Sequence, residues 1–254
     1  MMMSTLNNNP REMLIFALDV GKGIEEAMTW VKRLGDHLAI FKVGKESYTR
    51  YGPCVVQKIR ESGKKVFLDL KFHDIPNTVA GAAVGAVEQG VYMFNVHALG
   101  GREMMEKTVA AVSRAAQETA LPPPIILAVT VLTSLNDNDL KQLGFNCSAS
   151  ELTLRLARLA KDSGVSGVVA SAHDIANIRR ACGNDFIIVT PGIREAISAN
   201  DDQKRISTVR DAIGAGADYI VVGRPIRQAP DPVQRIEEIV SGITEGLAMR
   251  QRVV

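Results

Sequence analysis

Short apolar runs rich in valine and isoleucine alternate with amphipathic segments along the chain. The runs predict strands over residues 13–19, 38–43, 65–70, 91–97, 125–131, 166–171, 186–191 and 218–223. Between them, spacing of apolar residues at three and four predicts helices over residues 25–34, 48–61, 78–88, 102–117, 150–161, 174–181 and 208–215, with a last one over 232–249. No linker rich in Pro, Gly or Ser interrupts the series. Eight strand-helix units therefore make a single-domain (β/α)8 TIM barrel the leading α/β architecture, spanning residues 11–254 after a loose tail over residues 1–10. The small-residue ends Ser163-Gly164 and Gly214-Ala215-Gly216 suit helices that stop and turn back into strands. A doubly wound open sheet is the second architecture.

Two connections, residues 132–149 and 193–207, are longer than a barrel turn requires, and both follow strands. Loops at the carboxyl ends of barrel strands form the active face, so their length and polarity point to a mobile cover over a substrate. The plainer reading is a pair of solvated insertions.

Composition narrows the function classes. With 254 residues, 46% of them hydrophobic, the chain can bury a substantial core. A formal net charge of +2 from nearly balanced signs gives no broad electrostatic footprint for nucleic acid or an anionic membrane, so any anion site must be local. The opening MMMSTLNNNP lacks an apolar signal core. No stretch supplies the roughly 18 to 20 uninterrupted apolar residues of a membrane span. Cys54, Cys147 and Cys182 stand far apart without a CxxC pair, against a disulfide framework or structural zinc and in favour of a reducing cytoplasm.

The chemistry gathers at DLKFHDIPNT, residues 69–78. Strand alternation puts Asp69 and Lys71 on one face, with Asp74 just beyond the strand. A lysine between two carboxylates is a candidate proton donor. Other polar strand ends are Asp19, Lys42, His97, Thr133 with Ser134, Ser171 and TPGIR over residues 190–194. Charges inside an apolar scaffold must pair, so Lys42, Asp69, Lys71 and Asp74 are expected to form one alternating network. Gly192 and Arg194 after the seventh strand, and Gly223 and Arg224 after the eighth, suit phosphate held by backbone N–H groups and a guanidinium. A lone Gly-Arg pair would equally close a turn. His73 lies in the charged run, but its neighbour Lys42 cannot ligate a divalent ion, which argues against a metal site. His97 reads either as catalytic or as a satisfied rim histidine, and His37 and His173 as capping or solvent-facing.

At DLKFHDIPNT the sequence resembles the orotidine 5′-phosphate decarboxylase family. FALDV around Asp19, FKVG around Lys42, VLTS over residues 131–134, TPGIR, DDQKR over residues 201–205 and VVGRPI over residues 221–226 match the family's motifs in order, across residues 13–226. The resemblance implies that Lys71 protonates the C6 carbanion left by loss of carbon dioxide, within a network of Lys42, Asp69 and Asp74. It implies a homodimer in which Asp74 and Thr78 enter the neighbouring subunit's site. Asp19 and Lys42 would contact the ribose, and Thr133 and Ser134 the pyrimidine. Arg194, Gln203, Gly223 and Arg224 would hold the phosphate, Gln203 also reaching toward the base. The family needs no metal or organic cofactor. The rival readings are a magnesium-dependent sugar-phosphate decarboxylase or lyase of the same superfamily, which places an acidic ligand where Lys42 stands, and a non-catalytic nucleotide-binding barrel. An indole-forming lyase lacks matching acidic motifs.

Overall fold

Strands buried on both faces have no polar side to show, and β1 (Leu14–Ala17, LIFA) is buried at every position. The computed structural model describes residues 9–21, 23–193 and 208–251. A 3-10 turn (Pro10–Glu12) leads into β1, so Pro10 belongs to a formed turn; residues 1–8 lie outside the described residues. Then follow α1 (Ile24–Leu34), β2 (Ile40–Gly44), α2 (Lys45–Tyr51), α3 (Pro53–Glu61), β3 (Lys65–Phe72), α4 (Pro76–Glu88) and β4 (Met93–His97). The second half contains α5 (Gly101–Thr119), β5 (Ile125–Val129), α6 (Asp137–Gln142), α7 (Ala149–Asp162), β6 (Gly167–Val169), α8 (Ile175–Cys182), β7 (Ile187–Pro191), α9 (Val209–Gly214), β8 (Tyr219–Val222), α10 (Arg224–Arg227) and α11 (Pro232–Gln251).

Each strand pairs in parallel with the next, and β8 pairs with β1, so the sheet closes: a (β/α)8 TIM barrel. Closure leaves no open edge. Two apolar layers result. Outward residues such as Phe16, Phe41 and Phe94 pack under helices, as does the stripe Ala27, Val31 and Leu34 of α1. Inward residues Ile15, Ile40, Phe67, Met93, Leu127 and Val221 fill the interior. With a period of two, the next inward positions are Lys42 on β2, Asp69 on β3 and Asn95 on β4. The apolar plug thus ends in a polar layer toward the carboxyl ends of the strands.

Two expectations change. The helix expected over residues 48–61 is two helices, because Gly52 at φ 59° and Pro53 break it. The connection over residues 132–149 is a folded piece rather than a loose cover: Asn136 and Ser148 each form a capping box, Leu140 of α6 is buried, and Asp137 accepts from the Ala149 N–H at 2.8 Å. Most of the second long connection, residues 194–207, lies outside the described residues.

Candidate active site

Asp69 is the centre of the polar layer. Lys71 Nζ donates to its Oδ1 at 2.5 Å, and Lys42 Nζ lies 3.1 Å from its Oδ2. Lys42 also donates to Asp19 Oδ1 at 3.4 Å. Lys42 and Asp69 are both buried. Burial alone opposes the Asp69 charge, but Lys42, Lys71 and the Asn95 amide outweigh it and hold the carboxyl below its ordinary range. Gly44 makes room for this contact: a Cβ there would meet Asp19 Oδ1 at 2.9 Å and Lys42 Nζ at 3.0 Å.

Lys71 reaches Asp69 by a different route from simple strand alternation. The β3–β4 ladder jumps from Leu68↔Phe94 to Phe72↔Val96, and Lys71 lies in the left-handed region at φ 53°. Asp74 is not part of the cluster formed within one chain. It is exposed, and its Oδ1 accepts from the adjacent Ile75 N–H at 2.6 Å, because β3 ends at Phe72 and carries the chain out over the rim. Thr78 is exposed on α4.

A cavity of about 220 Å³ stands over the pair, lined by Lys42, Asp69 and Lys71 on one side and by Val129, Val131, Leu132, Thr133, Val169, Ala170, Pro191 and Val221 on the others. Its apolar walls strengthen the field of the charged floor. Thr133 reaches this lining; Ser134 is exposed and does not. At the far side Pro191 pairs with Val221, so Gly192 and Gly223 leave the barrel on neighbouring strands. Gly223 packs so closely on β1 that an added Cβ would lie 3.1 Å from the Ala17 Cβ, and the exposed Arg224 opens α10.

The same arrangement of sequence is found in known proteins. The sequence model of the family described as "Orotidine 5'-phosphate decarboxylase / HUMPS family" matches residues 12–239. The chain belongs to this family. It is 60% identical over 245 residues to a protein named orotidine 5′-phosphate decarboxylase from Syntrophus aciditrophicus, covering 96% of this chain and 98% of that one. A protein of the same name from Geotalea daltonii is 50% identical over 236 residues, with 93% and 98% covered. Among solved structures, the orotidine 5′-phosphate decarboxylase of Lactobacillus acidophilus superposes with a TM-score of 0.80 at 36% identity, over 91% of this chain and 99% of that one.

Within the orotidine 5′-phosphate decarboxylase family fold, several features of this chain carried little sequence signal. Arg194 and Gln203 lie outside the described residues. Arg227 donates to the Asp19 carbonyl, tying the corner after β8 to the end of β1. His97 does not line the cavity; its ring lies 5.4 Å from that of His73, and its Nδ1 is buried with no partner among the described residues. Burial, then His73, Lys45 and Lys71, push its pKa down to about 4, so it is neutral at pH 7. Asn95, buried beside Asp69, escapes pattern reasoning; its one signal is an amide in an otherwise apolar stretch of strand.

Proposed function

We propose that the chain decarboxylates orotidine 5′-phosphate to UMP, the closing reaction of de novo pyrimidine synthesis, with Lys71 as proton donor. The C6–carboxylate bond breaks, its electron pair stays on C6, and carbon dioxide leaves. The Lys71 ammonium then passes a proton to C6 and regains one from solvent. The observation that carries this reading is the Lys71–Asp69–Lys42 arrangement at the floor of an apolar cavity, 2.5 Å and 3.1 Å apart. Fixed cations where negative charge develops stabilise a localised carbanion without a cofactor, and a water-poor wall increases the effect.

Asp19 and Lys42 contact the ribose in this reading and Thr133 faces the pyrimidine; Ser134, outside the cavity's lining, would have to turn inward to join it. At about 220 Å³ the cavity is smaller than whole-ligand pockets of roughly 300–1,000 Å³, which suits the base while the sugar phosphate lies at the rim. Arg194, Gln203, Gly223 and Arg224 hold the phosphate there. Its binding energy, remote from the reacting carbon, organises the charged floor.

The same reading makes the working unit a homodimer. Asp74 and Thr78 are exposed and do not line their own cavity, with Ile75 between them 67% exposed, and in this reading they complete the partner's site. We place the reaction in the cytoplasm, a setting supported by three free cysteines; among the described residues no helix is long and apolar enough to cross a membrane. The test is Lys71→Ala. Turnover of orotidine 5′-phosphate should disappear while UMP still binds, measured by calorimetry. Near-normal decarboxylation by that variant overturns the role of Lys71.

A further inference from the structure

In β4, MFNVH, one buried residue is neither apolar nor in contact with the cavity: Asn95, 1% exposed. A buried amide needs partners at both ends. Both of its partners belong to the charged floor. Asn95 Nδ2 donates to Asp69 Oδ1 at 2.7 Å, and Asn95 Oδ1 accepts from the Lys71 backbone N–H at 2.8 Å. A backbone N–H can only donate and a carboxylate can only accept, so the flipped amide would satisfy neither, and the network itself fixes the orientation.

The contact falls where the ladder is irregular. Between the pairs Leu68↔Phe94 and Phe72↔Val96, residues 69–71 of β3 stand opposite Asn95 alone. Lys71 sits there at φ 53°, a conformation that side-chain-bearing residues keep only when their surroundings over-determine it. The Asn95 carbonyl gives its N–H the acceptor that a regular strand partner would have supplied. The same amide shares Asp69 Oδ1 with the Lys71 ammonium, which fixes the carboxylate that receives it.

We propose that Asn95 is a positioning residue for the decarboxylation: one side-chain amide locks the Lys71 main chain in its bulge and orients the Asp69 carboxylate, setting where the Lys71 ammonium stands. This rests on the reading of Lys71 as proton donor. The charged and titratable groups around the amide are Lys42 from β2, Asp69 and Lys71 from β3, and His97 on β4 itself; on the β5 side its partner is the uncharged Leu127.

The test compares Asn95→Leu, Asn95→Asp and Lys71→Ala with the unaltered protein, using purified full chain and orotidine 5′-phosphate. Asn95→Leu should lose on the order of 100-fold in kcat, as expected for a misplaced reacting group, with UMP affinity unchanged. In Asn95→Asp the introduced carboxyl, when ionised, would set a second negative charge against Asp69. Its neutral acid form would instead restore both hydrogen bonds, O–H to Asp69 and C=O to the Lys71 N–H. The kcat of Asn95→Asp relative to the unaltered protein should therefore climb as pH falls, and that of Asn95→Leu should not. Asn95→Asp carries the test alone if Asn95→Leu does not fold. Full kcat in Asn95→Leu, or a flat ratio for Asn95→Asp across pH, overturns the proposal. Turnover retained by Lys71→Ala overturns the proton-donor reading; its loss beside full turnover in Asn95→Leu overturns the positioning alone.

Discussion

Asp69 keeps its charge in a buried place because two ammonium groups and an amide surround it, and the two ammonium groups, Lys42 and Lys71, also line the cavity above it. His97 shows the opposite case. Burial first, then His73, Lys45 and Lys71, outweigh the opposing pull of Asp69 and lower its pKa to about 4, whereas an unfolded histidine takes a proton near 6.5. Between those values the unfolded state binds more protons, so folding stability falls as pH drops from 6.5 to about 4 and loses nothing further from this group below that. His97→Asn should flatten the loss, read from urea midpoints across that range; an unchanged pH slope would contradict it. Lys42, Asp69 and Lys71 were legible because charges at strand ends in a barrel must pair. Asp74 was placed just beyond the strand, as found, but it does not join the expected network with Lys42, Asp69 and Lys71 within one chain, since closeness in sequence does not bring a rim residue back to the barrel floor. Asn95 falls on the inward period of β4, but its hydrogen bonds to Asp69 and the Lys71 N–H depend on ladder register and on the φ of a residue one strand away.

Strands were read well because burial on both faces leaves continuous apolar runs, and all eight expected strands are found within a few residues. β3 is the exception in kind. It runs to Phe72, two residues beyond the expected end, and its last part is a bulge that no alternation rule foresees. The connection over residues 132–149 looked loose because it is polar, yet it carries its own start signals: Asn136 with Asp139, and Ser148 with Glu151. Ser148→Ala should lower stability by about 1 kcal/mol by denaturant titration while leaving kcat unchanged. No loss of stability would mean that the box does not hold α7.

Across the whole molecule, alternation of strand and helix favoured the barrel and left a doubly wound open sheet second; the pairing of β8 with β1 decides for the closed barrel. Assembly had no such signature in one chain. The proposed homodimer, in which the exposed Asp74 and Thr78 serve the partner's site, makes a sharp prediction: mixing Asp74→Ala with Lys71→Ala proteins should restore turnover, since a heterodimer would collect both defects in one site and leave the other intact. Absence of recovery despite demonstrated subunit exchange would show that sites are not shared. In the proposed reaction protein groups alone, with Lys71 among them, carry out the decarboxylation. Its most direct measurement is the loss of orotidine 5′-phosphate absorbance with purified protein in excess EDTA. Steady loss at the rate seen without chelator, with UMP as product, is the predicted result; no turnover, or turnover that returns only with added magnesium, would contradict it.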